Sequence, residues 1–349
     1  MKLNSTQTLK MSYTFRNTEI NNEKASVFET KSLLYLIGKS SSKKEIEYIT
    51  FDCFNDVSGI DKSGNNIWDI QSKNEAKLNP KKIGKYLYTL FDNSISKLTF
   101  KEFIFFTQKL DESYKIDINL NIYNCSNFKT QTLDRIKNGL IEEVNRVKGD
   151  ATIYTLDIEK FLNNVIIVED DTTEQEYLKL IIKFKNKLLK SDDFYITAFK
   201  ELRDIQSTKK NSYIENETIA NILDVIKFNR HLKILDIDTF ILCRILGFEL
   251  FAYKGIPIYF SIYTDHFLIE DRKDLVQECN SNLSRCLFNK NSNKEFWNIC
   301  EKIISHIENN IQKDVEKIFQ TIFKGYVIKF SYLNEITIKY LIALIIEGL

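Results

Sequence analysis

A regular alternation of apolar and polar positions marks residues 49–73 of this chain. An apolar run is followed by a cluster of Gly, Asn, Asp and Ser and then by a second short run, which predicts a β-hairpin. In a strand, successive side chains point to opposite faces. The second strand therefore carries Trp68, Ile70 and Ser72 on one face and Asp69, Gln71 and Lys73 on the other. Asp56 is expected where the first strand ends.

The segments that flank this hairpin predict a compact α/β unit. Apolar residues recur at helical spacing from Glu23 to Gly38, and Pro80 suits the first turn of a helix over residues 81–92. The continuous apolar run from Phe103 to Thr107 is typical of a strand that is covered on both faces. The predicted order is helix, strand, strand, helix, strand, and the unit is expected to close near residue 120.

The remainder of the chain predicts a different architecture. Residues 1–22 form a polar leader that is expected to fray or to form an edge strand. Residues 121–349 are dominated by helical periodicity and predict a largely helical regulatory or assembly module. Aromatic and β-branched residues near 248–263, around Gly255 and Pro257, predict a small β element within it. The fold class is therefore mixed α+β or α/β, with a helical second domain.

Composition narrows the function classes. The chain has 349 residues, of which 43% are hydrophobic and 28% charged, so it is globular. Its formal net charge of +1 provides no global field that attracts nucleic acid, although a local basic patch is compatible with this total. The six cysteines form no CxxC pair, and the three histidines have no partners at ligand spacing, which argues against zinc. No signal peptide or uncharged membrane-length run is visible, so we expect a cytoplasmic, reduced protein without a membrane partner.

The polar residues of the hairpin suggest a chemical site. A carboxylate at Asp56, beside an amide and an ammonium at Gln71 and Lys73, is suited to holding a divalent metal next to a cation. Hydrolysis of a phosphodiester requires both components. The alternative interpretation is an ordinary solvated hairpin face, because the spacing alone is not specific.

The order of elements and residues resembles the PD-(D/E)xK nuclease superfamily, and specifically the Cap4-type double-stranded DNA endonuclease domain of bacterial anti-phage defence systems. The resemblance covers roughly residues 20–115. It rests on five short elements, which in this chain are Phe28-Glu29, Asn55-Asp56-Val57, Gln71-Ser72-Lys73, the helix after Pro80, and the apolar strand that ends at Thr107.

This resemblance implies a restriction-endonuclease-like domain over residues 23–120 that requires Mg²⁺ or Mn²⁺ to cut double-stranded DNA. Asp56, Gln71 and Glu29 would bind the metal, Lys73 would orient water or stabilise the phosphate, and Asp69 is a secondary candidate. It also implies an effector that is kept inactive or is activated by homo-oligomerisation or partner proteins. An SMC-like ATPase and an accessory subunit, as in Lamassu-type systems, are the expected partners.

Gln71 stands where the superfamily usually has an acid, and this departure supports an alternative from another class. In that alternative the protein is a non-catalytic scaffold or adaptor subunit of a multiprotein complex, with a degenerate nuclease-like domain.

Overall fold

The computed structural model describes residues 12–15, 23–187, 189–210, 213–250, 255–310, 313–326 and 329–349. The chain divides into two compact units. The first consists of residues 1–180 and 199–234, and the second of residues 181–198 and 235–349.

Strands are concentrated in the first unit. Within the described residues they are β1 Tyr13–Thr14, β2 Ile46–Phe51, β3 Val57–Asp61, β4 Ile67–Lys73, β5 Phe100–Thr107, β6 Ile122–Asn124, β7 Ile166–Glu169, β8 Thr218–Ile219 and β9 His231–Lys233. Seven of them form one mixed sheet in the order β6-β7-β5-β4-β3-β2-β9. The predicted mixed fold, with a largely helical later part, is confirmed.

The helices of the described chain are α1 Glu23–Gly38, α2 Pro80–Tyr86, α3 Tyr88–Ser94, α4 Thr130–Lys148, α5 Thr155–Asn164, α6 Glu174–Ile181, α7 Asp192–Lys209, α8 Ile234–Leu246, α9 Ile269–Phe288, α10 Asn293–Asn309, α11 Val315–Phe323 and α12 Glu335–Gly348. No helix among the described residues is long and apolar enough to cross a membrane.

The predicted hairpin is part of an antiparallel meander of three strands. β4 matches the predicted second strand, but the predicted first strand is divided into β2 and β3 by residues 52–56. Asp56 therefore precedes β3 and does not end a strand. The division follows from Asp52, whose φ of 48° lies in the left-handed region and interrupts the extended backbone. β5 pairs with β4 in parallel. β3, β2 and β9 lie beyond β4 towards one edge of the sheet, and β7 and β6 lie beyond β5 towards the other.

Helices cover both faces of this sheet. On one face, the ring of Phe28 in α1 lies 4.9 Å from the ring of Phe106 in β5. On the other face, Phe105 belongs to a buried apolar cluster that includes residues of α2, α3, α4 and α5. Adjacent residues of β5 thus point to opposite cores, which confirms the expected strand with two buried faces. The helix predicted over 81–92 is divided into α2 and α3 at Leu87.

The first unit extends beyond the predicted boundary near residue 120. β6 and β7 complete one edge of the sheet, and β9, from much later in the chain, completes the other. Their backbone groups pair with strands of the unit, so the sheet is finished only by these later segments. In the leader, Tyr13 and Thr14 pair with β8 as an edge strand, and most other leader residues lie outside the described residues.

The second unit is helical in its described residues and contains α9 to α12. The β element predicted near 248–263 is wrong for the part of this segment that the structure describes. Residues Ile258–Tyr263 form a 3₁₀ helix after Pro257, and Phe260 is buried against the ring of Tyr340 in α12 at 5.1 Å. Phe260 therefore packs within a helical core, which the pattern of aromatic and β-branched residues in the sequence does not predict.

Candidate functional site

Asp56 and the polar row of β4 meet at the start of β3. The Ser72 backbone N–H and the Ser72 hydroxyl each donate to Asp56 Oδ2 at 2.7 Å. Gln71 Nε2 donates to Asp56 Oδ1 and Oδ2 at 3.0 and 2.9 Å. Gln71 and Ser72 are successive residues of β4, so their side chains leave the strand on opposite faces. Asp56 lies beside the edge of β4, where both side chains reach its carboxylate. The carboxylate is thereby fixed in position and remains partly exposed.

The Gln71 amide lies between Asp56 and α3. Its Oε1 accepts a hydrogen bond of 2.9 Å from the hydroxyl of Thr89. A hydroxyl both donates and accepts, so a half-turn of the amide retains a hydrogen bond to Thr89 and turns the carbonyl oxygen towards Asp56. In the structure the amide presents its donors to Asp56, and the opposite orientation, which would present the oxygen, is compatible with the same neighbours.

Lys73 extends the same row beyond Gln71. Its Nζ lies 5.2 Å from the centre of the Tyr86 ring in α2, a distance at which an ammonium is attracted to the ring face. Among the described residues, no carboxylate forms an ion pair with this ammonium. The Lys73 charge also acts on Glu75, whose pKa is lowered first by a hydrogen bond from Lys82 and further by Lys73. Lys73 is thus a held cation on the wall of the cleft described below.

Asp69 occupies the same face of β4 but has a different environment. The carboxylate is fully buried and accepts hydrogen bonds from Asn55 at 2.5 Å, from Ser58 at 2.8 Å and from Asn93 at 2.8 Å. Burial raises its pKa to about 6, and the three donors oppose this shift. The side chain ties the loop before β3 to α3, and it does not line the cleft.

Glu29, the predicted second acid, lies in α1 and is paired with a lysine from a distant part of the chain. Lys210 Nζ forms an ion pair with Glu29 Oε2, and the same ammonium lies 3.2 Å from Asp52 Oδ2. All three side chains are about one-tenth exposed or less, at 8% for Lys210 and 10% for each acid. Glu29, Asp52 and Lys210 are called the buried cluster below.

The buried cluster is electrostatically coupled to Asp56. Burial raises the pKa of Glu29 to about 7, which Lys210 opposes and which Asp56 and Asp52 reinforce. Burial also raises the pKa of Asp52, against the opposing effect of Lys210, while Asp56 adds to the rise. The ion pairs raise the pKa of Lys210 although burial acts in the opposite direction. Two buried carboxylates therefore share the Lys210 ammonium, and Asp56 and Arg230 also act on the charge of Asp52.

Lys210 and Arg230 are the site residues that sequence reasoning missed. The Arg230 guanidinium donates to the backbone carbonyl of Asp52 at 2.9 Å, and it also donates to the carbonyl of Lys210. Lys210 follows the last residue of α7 and is separated from Glu29 by 181 positions. The dipeptide Lys209-Lys210 reads as an ordinary polar loop, and no local pattern connects it to the hairpin.

Asp56, Gln71 and Lys73 line a cleft of about 1010 Å³ in the first unit. Its walls also carry charged residues of both signs, which are the basic Lys85, Lys97, Arg146 and Lys148 and the acidic Asp92, Glu143 and Asp157. Several of these are paired, as Lys148 is with Asp92 at 2.6 Å. Asp52 lines the cleft as well, while Glu29 and Lys210 lie behind it.

The atoms around Asp56 limit which metal this site would accept. The described residues contain no group of three or more His, Cys, Asp or Glu ligands. Magnesium retains several waters and is commonly held by one or two carboxylates. Both oxygens of Asp56 accept hydrogen bonds in the structure, so the Gln71 amide would have to make the half-turn before its carbonyl and the carboxylate faced one Mg²⁺ or Mn²⁺ ion together.

Comparison with known proteins adds no assignment. No protein-family model, no curated protein and no solved structure matches this chain. The resemblance to nucleases therefore stays a prediction.

Proposed function

We propose that this chain is a metal-dependent DNA endonuclease. The observation that carries the proposal is the gathering of Asp56, Gln71 and Lys73 on the wall of one cleft. A carboxylate in the loop before β3, and an amide and an ammonium on the neighbouring strand β4, match the needs of phosphodiester hydrolysis. β4 and β5 are parallel neighbours in the sheet, and α1 packs on one face of it. This arrangement supports the restriction-endonuclease-like interpretation of the first unit.

In this proposal each residue has a separate role. A divalent ion, when bound, supplies a Lewis acid for the scissile phosphate. Asp56 and Gln71 would hold that ion, and the two hydrogen bonds from Ser72 fix the direction of the carboxylate. Lys73 donates to the attacking water or to a phosphate oxygen, where negative charge increases as the reaction proceeds. Water attacks phosphorus, the ester P–O bond breaks, and a phosphate monoester and a hydroxyl result.

The cleft is lined by five basic and five acidic side chains, and the basic ones are those that would contact the phosphates of a nucleic acid substrate. Lys97 and Lys73 have no ion pair among the described residues, and the paired cations of α4 can exchange their carboxylate partners for phosphates. Contacts of this kind are independent of sequence and weaken with salt. Cleavage of double-stranded DNA in the cytoplasm, control by self-association, and a role in anti-phage defence with an ATPase partner are parts of the same proposal.

Replacement of Lys73 by Ala provides the direct test. With supercoiled plasmid and Mg²⁺, we expect the wild-type chain to produce nicked and linear DNA. Loss of the ammonium should lower the rate by about 100-fold or more. Lys62→Ala, in the exposed turn between β3 and β4, is the matched control and should cut normally. Equal cutting by the Lys73→Ala and wild-type proteins, with unchanged melting temperatures, would contradict the proposal.

A non-catalytic scaffold is the second candidate, and one observation favours it. In the structure the Gln71 amide presents its NH₂ group, rather than its oxygen, to Asp56, so both carboxylate oxygens already accept hydrogen bonds. Calorimetry separates the candidates, because only the enzyme requires Mn²⁺ binding that disappears in Asp56→Ala. If the wild-type chain binds no Mn²⁺, the scaffold is favoured.

A further inference from the structure

The loop that carries Asp56 starts where β2 ends. The amide of Phe51, the last residue of β2, donates to the Arg230 carbonyl at 3.0 Å, just before β9 begins. The chain then turns at Asp52, whose φ of 48° is left-handed. Asp52 lies between β2 and β3 and outside their pairing, so its backbone carbonyl requires a donor from another part of the chain.

The Arg230 side chain supplies that donor. Its guanidinium is buried, with 2% of the residue exposed, and it donates to the carbonyls of Asp52 at 2.9 Å, of Phe51 at 3.4 Å and of Lys210. The Lys210 ammonium in turn lies 3.2 Å from Asp52 Oδ2. Burial raises the pKa of Asp52, and both cations oppose the rise. Arg230 therefore holds the first residue of the loop by its backbone, and Lys210 holds it by its side chain.

The first residue of this loop is bonded directly to the last. The Asp52 backbone N–H donates to the Asp56 carbonyl at 3.3 Å. The hydrogen bonds from β4 hold the carboxylate of Asp56, but they do not hold its backbone. The guanidinium of Arg230, which fixes Asp52, thus also fixes the backbone from which the Asp56 carboxylate projects.

We propose that Arg230 is a positioning residue that holds residues 52–56 in the conformation in which Asp56 binds a divalent ion. The inference rests on the proposed function, because it names the group that sets this ligand in place before the ion arrives. Arg230 lies outside the lining of the cleft, so the ion and DNA would bind without touching it. Its effect is therefore on metal affinity, which changes by about 10- to 100-fold when a group that orients a ligand is removed.

Calorimetry with Mn²⁺ and the metal dependence of plasmid cutting test the inference in the full-length chain. In Arg230→Met, we expect the dissociation constant of Mn²⁺ and the Mg²⁺ concentration for half-maximal cutting to rise by about 10- to 100-fold. The KM for DNA and the rate at saturating Mg²⁺ should stay those of the wild type, because the ligands themselves remain. Asp56→Ala removes a ligand, so no concentration of Mg²⁺ should restore its rate.

Lys233 in β9 provides a matched control. It lies on the edge strand that follows Arg230, but it is exposed, and its ammonium lies 6.0 Å from the centre of the Tyr48 ring. Lys233→Met should bind Mn²⁺ with the affinity of the wild type. A merely structural role for Arg230 would lower the melting temperature of Arg230→Met and leave its metal requirement unchanged, and that result would overturn the inference.

Hydrogen exchange of the wild-type chain in EDTA tests the same point without a variant and without activity. The Asp52 amide should exchange slowly in the absence of metal, and added Mg²⁺ should change its rate little, because the loop is already in place. An Asp52 amide that exchanges rapidly without metal would contradict the role of Arg230, whether or not Mg²⁺ then slows it.

The proposed function and the role of Arg230 fail in different ways. A wild-type chain that neither binds Mn²⁺ nor cuts DNA would remove both. A wild-type chain that cuts, beside a folded Arg230→Met protein with the same affinity for Mn²⁺, would remove only the role of Arg230. If Arg230→Met does not fold, the exchange rate of the Asp52 amide in the wild type decides.

Discussion

At the scale of single residues, two aspartates from one short region have opposite environments. Asp56 accepts its hydrogen bonds at the edge of a cleft, whereas Asp69 accepts three in a fully buried position. The alternation of side chains in the sequence predicts that Asp69 shares one face of a strand with Gln71 and Lys73. The strand β4 confirms this placement. The alternation of side chains does not indicate how deeply a residue is buried. Asp69 is buried because α3 covers it, with Asn93 donating a hydrogen bond to its carboxylate.

Asp69 should make stability depend on pH. Its pKa in the folded chain is about 6, above its ordinary value of 3.8, so the folded state holds the proton more tightly. This contribution to stability is fully present below the ordinary pKa and is lost as the pH rises through about 6. Two pKa units correspond to roughly 2 to 3 kcal/mol in the free energy of unfolding.

Chemical denaturation in EDTA at pH 4 and pH 7.5 measures this effect. We expect the free energy of unfolding of the wild type to fall more steeply over that interval than that of Asp69→Asn. The stability of the wild type relative to the variant therefore decreases as the pH rises. Glu29 also has a raised pKa, but it is present in both proteins and cancels in the comparison. Parallel stability curves for the two proteins would contradict the assignment.

At the scale of elements, two glycines allow α2 and α4 to pack in direct backbone contact. A Cβ atom on Gly139 would lie 2.0 Å from the carbonyl oxygen of Lys81, and one on Gly84 would lie 2.0 Å from that of Ile136. Such contacts leave no space for a methyl group. The last turn of α4 carries Arg146 and Lys148, so this packing also positions one wall of the cleft.

Gly139→Ala should therefore separate the two helices and lower stability. Overpacking of this kind costs about 1 to 3 kcal/mol in the free energy of unfolding, and rigid backbone atoms favour the upper end. Thermal denaturation checks the expectation, with Asn138→Ala on the exposed side of α4 as the control. Any loss of DNA affinity in Gly139→Ala should accompany the loss of stability. An unchanged melting temperature would show that the helices do not pack as described.

At the scale of the whole molecule, the six cysteines are distributed over both units, two in the first and four in the second. All six lie within the described residues and are free, and only Cys243 is partly exposed. Burial raises the pKa of Cys243 and raises that of Cys53 and Cys125 to about 12. Thiolates are the reactive form, so the native chain should react slowly with alkylating reagents.

Mass spectrometry after treatment with iodoacetamide tests this expectation. In the native chain near neutral pH, we expect slow labelling that is restricted to Cys243, and rapid labelling of all six thiols after unfolding in denaturant. Fast labelling of a buried thiol such as Cys300 would indicate that the helical second unit opens readily.

The sequence alone determined the local elements and the polar row of β4, because side-chain alternation and helical periodicity act between near neighbours. It therefore predicted α1, β4, β5 and the proximity of Asp56, Gln71 and Lys73, which are at most 17 positions apart in the chain. Only the tertiary structure placed Lys210 between Glu29 and Asp52 and completed the sheet with β7 and β9. Contacts between segments this far apart in the chain, 62 positions for Ile104 and Ile166 and 181 for Glu29 and Lys210, depend on how whole elements pack, and no local pattern records them.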